Sequence, residues 1–180
     1  MSRAALLQAL TDDQRVALIG AMFAMAAADA SLDPQEWALI FAHLDTEGLS
    51  EANQDHIKTF LLAPPPFDAC LATLADAPLH ARQGAMIALV DLAWADGVRT
   101  SEEDQALAQA RAALQIPDPQ AEAIERFADE LRQLQRRGAG EQAAKEACAG
   151  VVGRLYEAGV ERDALLLSSG FLYETSLRCL

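Results

Sequence analysis

Two apolar runs, residues 16–28 and 83–95, lie sixty-seven positions apart in this 180-residue chain, and they decide most of what it can fold into. Neither is long enough to cross a bilayer, which needs roughly 20 apolar residues in a helix. Each must therefore be covered by the rest of the chain, as a core helix. The first run contains Ala26-Ala27-Ala28, which could pass for a signal cleavage site, but Asp12 and Asp13 stand directly before it, where a signal is basic. The second run occupies the equivalent place in mid-chain, where no signal could be. Both are read as buried helices.

The remaining sequence carries the helical period throughout, with no strand-like alternation and no hairpin signal. A short helix is expected over 3–10. Thr11 with Gln14 three residues on forms a capping box that opens a helix over 12–28. Asp33 followed by Pro34 caps a helix to about residue 44, and Gly48 closes that region. Ser50 opens another helix to about 62, where Pro64-Pro65-Pro66 forbids continuation. Further helices are expected over 67–75, from Pro78 to about 95, from Thr100 to about 114, and from the cap-plus-proline pair Asp118-Pro119 to about 137. The last of these aligns Ile124, Phe127, Leu131 and Leu134 on one side. Gly138-Ala139-Gly140 is the clearest hinge. Beyond it, 141–158 and 162–177 read as a helical hairpin. The expectation is an all-α helical bundle over 1–138 with an internal pseudo-twofold repeat, followed by a C-terminal extension, 139–180, packed on the bundle or on a partner. The apolar stretch from Leu165 to Tyr173 needs a surface to cover it, either this core or a docking or dimerisation face.

Apolar residues make up 52% of the chain, enough for a sizeable core, and the net charge of −13 makes nucleic acid and anionic membranes poor partners. Cations and basic protein surfaces suit such a chain better. The three cysteines, Cys70, Cys148 and Cys179, form no C-x-x-C pair, and their odd number favours reduced thiols in a cytoplasmic setting.

The two runs leave their helices through related sequences, Ala-Asp-Ala-Ser-Leu-Asp-Pro-Gln-Glu (28–36) and Ala-Asp-Gly-Val-Arg-Thr-Ser-Glu-Glu (95–103). Setting Asp29 on Asp96 places Glu36 on Glu103, and Ala21, Ala26 and Ala28 on Ala88, Ala93 and Ala95. Each motif puts an N-cap residue three positions before its Glu, so Glu36 and Glu103 are accounted for by capping boxes at the positive end of a helix dipole. Asp29 and Asp96 fall at the carboxyl end of an apolar helix, where negative charge opposes the dipole, although a turn-making Asp is an alternative. Gly97 fits the left-handed position after the second helix; Ala30 fills that place in the first. Counting helix directions brings both loops to one end of the bundle, so that Asp29, Glu36, Asp96 and Glu103 gather. Crowded carboxylates repel, and a hard divalent cation, Ca²⁺, Mg²⁺ or Mn²⁺, would relieve that repulsion.

These paired motifs resemble the A-D-G-x-x-x-x-x-E signatures of the TerB-like family, the tellurite-resistance group related to the N-terminal domain of DjlA-like co-chaperones. The resemblance covers roughly residues 12–134. It implies an all-helical fold with internal pseudo-symmetry, acidic residues that hold a divalent metal, and a part in stress responses without known catalysis. Only Asp29, Glu36, Asp96 and Glu103 match the motif, and Ala30 departs from the family's glycine.

No phosphate-binding glycine loop, zinc-helix motif or nucleophile elbow occurs. His43, His56 and His80 are scattered and read as surface residues; Trp37 and Trp94 flank the two motifs and read as core packing. Paired carboxylates could in principle do acid–base work, but no substrate cleft is recognisable in the sequence. The chain is therefore expected not to be an enzyme. The expected partners are a divalent cation at the motif loops and another protein, with homo-oligomerisation open and membrane insertion excluded. The alternative is a metal-free acidic protein-interaction scaffold that works through its apolar tail.

Overall fold

The computed structural model of the chain describes residues 10–28, 40, 46, 48–95, 97–137 and 141–167. Among these residues there are eight helices and no strand: α1 (Asp12–Ala26), α2 (Glu51–Thr59), α3 (Phe67–Ala75), α4 (Leu79–Ala93), α5 (Ser101–Ala113), α6 (Asp118–Arg137), α7 (Glu141–Glu157) and α8 (Arg162–Leu167). The protein is all-α, as its period implies. The helix expected over 3–10, the one opened by Asp33-Pro34, the glycine hinge at 138–140 and the stretch after Leu167 lie outside the described residues.

The capping chemistry sets the helix starts. At α1 the Thr11 hydroxyl accepts from the Gln14 N–H at 3.2 Å, and the Gln14 amide oxygen accepts from the Thr11 N–H at 3.1 Å. This reciprocal pair satisfies donors that the first turn leaves without intrahelical partners. Ser50 does half of the same at α2, accepting from the Asn53 N–H at 3.2 Å. α2 stops at Thr59, short of the expected end, and Phe60 to Ala63 close it as a turn in which the N–H groups of Leu62 and Ala63 both bond the Thr59 carbonyl. The three prolines keep the helix from resuming, since the residue before a proline, here Ala63, is driven out of the helical region. α6 opens one residue earlier than the Asp118-Pro119 pair suggests: the Pro117 carbonyl accepts from both Gln120 and Ala121. Asp118 is thereby freed to pair with Arg111 of α5.

α4 is the axis of the bundle and packs against α1, α3, α5, α6 and α8. Twelve of its fifteen residues are buried, which is what a helix apolar on every side requires. α1, also of fifteen residues, packs against α2, α3 and α4. Large side chains from both, Met22, Phe23, Met86, Ile87, Leu89 and Leu92, are at most 2% exposed. Each such burial is worth roughly 1.5–3 kcal/mol before the entropy of ordering is charged against it. α1 comes close to its neighbours at Gly20, where an added Cβ would lie 2.8 Å from Pro65 and 3.0 Å from the Cys70 sulfur. The middle proline of the triplet is therefore seated in a notch that only glycine leaves open.

Val151, Val152 and Leu155 of α7, and Ala164 and Leu165 of α8, belong to the same apolar cluster as α1 and α4. α7 lies along α6, and α8 along α4. The turn between them is fixed by Gln83, a fully buried α4 residue. Its amide nitrogen donates to the Gln120 Oε1 at 2.8 Å and to the Gly159 carbonyl at 3.1 Å, and its oxygen accepts from the Glu161 N–H at 2.8 Å. Gly159 sits at φ +92°, a conformation that a side chain would strain.

Candidate functional site

Of the four predicted ligands, Glu103 lies among the described residues, while Asp29, Glu36 and Asp96 lie outside them. The second motif loop can nevertheless be followed almost to Asp96 from both sides. α4 ends at Ala93, and Trp94 and Ala95 continue in a turn in which Ala95 bonds the Leu92 carbonyl at 2.9 Å. Gly97 has φ +89° and donates to the Trp94 carbonyl at 3.1 Å. This is the left-handed residue expected after the helix.

Thr100 caps α5, and Glu103 completes a reciprocal box. The Thr100 N–H donates to Glu103 Oε2 at 2.7 Å, the Thr100 hydroxyl lies 3.1 Å from the same oxygen, and the Glu103 N–H donates back to that hydroxyl at 3.2 Å. Glu103 is 8% exposed, which is rare for a carboxylate and requires such partners. The capping role expected for it is therefore present. One carboxylate oxygen is held in a fixed position beside the loop, and oxygen is the donor type a hard cation takes.

Arg99, between Gly97 and the cap, was missed by sequence reasoning. Its Nε donates to Asp104 Oδ1 at 2.8 Å and its Nη1 to Glu125 Oε2 at 2.9 Å, while its guanidinium carbon lies 5.8 Å from the centre of the Trp94 ring. Burial works to lower the Arg99 pKa, but the bonds to Glu125 and Asp104 outweigh it, and the net direction is up. Arg99 thus ties the motif loop to α5 and α6 and spends its charge on two acids outside the motif. A hollow of about 460 Å³ opens beside it, walled by Asp104, Leu107, Arg111, Ile116 and Glu125 as well as Arg99.

Asp91 lies five residues before Asp96 and is buried, 2% exposed, in the last turn of α4. It pairs with Arg132 of α6 at 2.8 Å, and the same guanidinium also donates to the Asp91 carbonyl at 3.2 Å. Burial lowers the Arg132 pKa, with Asp91 opposing that change. The signal for this pair was an Asp inside an apolar run with no counterpart in the first run, where Ala24 stands.

The other predicted residues fall as follows. Trp94 packs, half-buried, on the main core cluster. His56 is exposed, its ring edge-on to Phe60 at 4.8 Å. His80 is more enclosed than expected and lies 3.6 Å from the Glu161 carboxylate. Trp37 and His43 lie outside the described residues. Among the described residues no group of three or more His, Cys, Asp or Glu is placed to hold a metal ion. None of the helices described is long and apolar enough to cross a membrane. Compared with known proteins, the chain matches no family model, no curated protein and no solved structure.

Of the two cysteines among the described residues, Cys70 meets the expectation of a free thiol and Cys148 departs from it. Cys70 on α3 is free and buried, and burial, with a contribution from Asp68, pushes its thiol up to about 11. Cys148 on α7, 4% exposed, is disulfide-bonded.

Proposed function

We propose that this chain is a non-enzymatic, TerB-like stress-response module that binds a divalent cation, Ca²⁺, Mg²⁺ or Mn²⁺, at its paired acidic helix–loop–helix motifs. Asp29, Glu36, Asp96 and Glu103 are its ligands in this reading. The observation that carries it is the register of the core: α1 and α4 start and end sixty-seven positions apart and bury the same alanines, Ala21 with Ala88 and Ala26 with Ala93. Each motif aspartate thus follows its helix end at the same distance. In this reading α1 and α4 are related by a pseudo-twofold repeat, and the hairpin beyond residue 140 is an addition to it. Two further features favour a cation. The Glu103 carboxylate is positioned by its cap, and Arg99, the cation within the loop, is already paired with Asp104 and Glu125.

The test is calorimetric titration of chelator-stripped protein with each of the three ions. Binding is expected, and the Asp29→Asn/Asp96→Asn double variant should lose it. No heat up to millimolar ion, or binding unchanged in the double variant, removes the site.

A second reading, a metal-free acidic scaffold that docks a protein partner, is favoured by one observation: Oε2 of Glu103 is already engaged by the N–H and hydroxyl of Thr100 in its own cap. With a net charge of −13 the partner surface would be basic, and association would weaken as salt rises. Capture of the same partners in chelator and in calcium supports this reading over the first. Cytoplasmic location accompanies the first reading; the disulfide at Cys148 asks in addition for contact with an oxidant.

A further inference from the structure

α5 and α6 follow one another in the chain, yet α5 packs on α3 and α4 while α6 packs on α4 and α7. The hollow of about 460 Å³ is walled by α5 on one side and by Asp118 and Glu125 of α6 on the other. We propose that this hollow is a docking site for a partner protein, and that it takes a short segment carrying one arginine or lysine beside an apolar residue. The proposal rests on the scaffold reading, in which an acidic chain meets a basic partner, and gives that reading a place on the surface.

The size and the lining select this occupant. A hollow of this volume falls within the roughly 300–1,000 Å³ of sites that enclose a small organic group. Its apolar part is Leu107 and Ile116, both buried, with Ala108 and Ala112, exposed residues one turn apart on α5 whose methyl groups leave the space open. Its polar part is anionic. Asp104 and Glu125 bond Arg99 through Oδ1 and Oε2, and Asp118 bonds Arg111 through Oδ1. The second oxygen of each of these carboxylates accepts nothing from the described residues. Three carboxylates against two guanidiniums leave one negative charge in excess on the wall. Burial opposes the Arg99 charge, yet the bonds to Glu125 and Asp104 hold its pKa up; the bond to Asp118, with Glu122 and Glu125, raises that of Arg111. Unused anionic acceptors beside an apolar floor match a side chain built as an alkyl stem with a cation at its tip. Phosphate groups and acidic peptides carry the wrong sign.

The lip of the hollow holds a residue that its own backbone disfavours. α5 closes with the Ile116 N–H on the Arg111 carbonyl at 3.1 Å and the Gln115 N–H on the Ala112 carbonyl at 3.2 Å, an ending that usually has glycine at its left-handed position. Gln115 stands there instead, exposed, at φ +52°. Its side chain covers no core, and its amide lies where it can meet the main chain of a docked segment.

The test is a nuclear magnetic resonance titration of the isotope-labelled full chain with the capped peptide Ala-Leu-Arg-Leu-Ala. A norleucine analogue keeps the stem and lacks the charge. The arginine peptide should give saturable shifts at residues 107–118, at Glu125 and at the Arg99 Nε, and the analogue should bind more weakly. Ala108→Leu fills the hollow without touching its charges and should abolish these shifts. Asp118→Asn should weaken binding about two- to fivefold, whereas Glu51→Gln, which removes the same charge from α2, should leave it unchanged. Gln115→Gly should raise the thermal midpoint and weaken binding. No saturable shift up to millimolar peptide overturns the proposal. So does binding that survives Ala108→Leu, or equal weakening by Asp118→Asn and Glu51→Gln. These last two results leave standing an acidic scaffold that attracts basic segments elsewhere, a reading that partner capture in chelator judges separately.

Discussion

α1 and α4 have the same length and the same apolar register, yet they admit different intrusions. At the place where α1 has Gly20, closed over by Pro65, α4 has Ile87, fully buried. At the place of half-buried Val16 in α1, α4 has Gln83, and at the place of Ala24 it has Asp91. The difference follows from their surroundings. α1 meets α2, α3 and α4, and its Gly20 answers a proline loop that presses close. α4 meets five helices, and its polar residues answer backbone and side-chain groups that α6 and the α7–α8 turn bring into the core. Apolar register says where a helix lies; its exceptions say which neighbours it has.

Breaking the Asp91–Arg132 pair should give the largest effect. Asp91→Ala removes the carboxylate from a largely buried ion pair with Arg132, and loss of one partner of a buried pair costs about 3–5 kcal/mol. Urea denaturation should show this loss, and the Asp91→Leu/Arg132→Met double variant should recover most of it. Substitution of Ala24, which faces no such partner in the pair, offers the contrast on α1: Ala24→Ser should cost far less than Asp91→Ala. Equal losses at the two positions would show that the asymmetry between the helices is not energetic.

Next comes Gln83→Leu, which keeps the volume and strands the Glu161 N–H and the Gly159 carbonyl. These groups are only part-buried, so each costs near the low end of the usual range of about 1–3 kcal/mol, and a total of about 2–3 kcal/mol is expected. Hydrogen exchange should locate the loss at the α7–α8 turn. The matching change Val16→Leu on α1 should cost under about 1.5 kcal/mol. Gly20→Ala, which forces a Cβ against Pro65, should cost about 1–3 kcal/mol, while Ile87→Val on α4 should cost about 0.5–1.5 kcal/mol. A neutral Gly20→Ala would mean that the proline loop yields easily.

The residues that were legible in the sequence share one trait: their structure depends on near neighbours in the chain. The Thr11 and Thr100 boxes, the glycine at 97, the α3 span and the two buried runs could all be read from local spacing. The apolar side of α6, with Ile124, Phe127 and Leu131, was equally readable from period alone. Asp91–Arg132 joins positions forty-one apart, and Gln83 reaches Glu161 across seventy-eight, so no local pattern could name either partner. A lone Asp or Gln in an apolar run signals that a partner exists, without saying where. Arg99 was hidden for another reason. It occupies a position that the motif leaves unspecified, and its partners Asp104 and Glu125 lie on two different helices. Cys148 was misread because an odd cysteine count was taken to favour free thiols. Of the acidic site itself, the spacing exposed Glu103 and its cap, while its relation to Asp29, Glu36 and Asp96 depends on residues outside those described.

The smallest contrast, between the two capping boxes, bears most directly on function. Thr11 and Gln14 form an exposed, neutral box, whereas Thr100 closes on a carboxylate that is nearly out of solvent. Thr11→Ala should cost about 0.5–1 kcal/mol, and Thr100→Ala about 1–2 kcal/mol, because the second also removes the hydroxyl that donates to a buried charge. A bound divalent ion would change that second figure and leave the first alone. Ion at a hundredfold excess over its dissociation constant stabilises the folded chain by about 2.7 kcal/mol. If Glu103 is a ligand, Thr100→Ala displaces a coordinating oxygen, and the calcium-induced rise in denaturation midpoint should shrink for this variant and persist in full for Thr11→Ala. If Glu103 serves only its helix, the two variants keep their cap penalties and respond to calcium alike. A thermal melt of both variants with and without the ion separates a capping carboxylate from one that also binds metal.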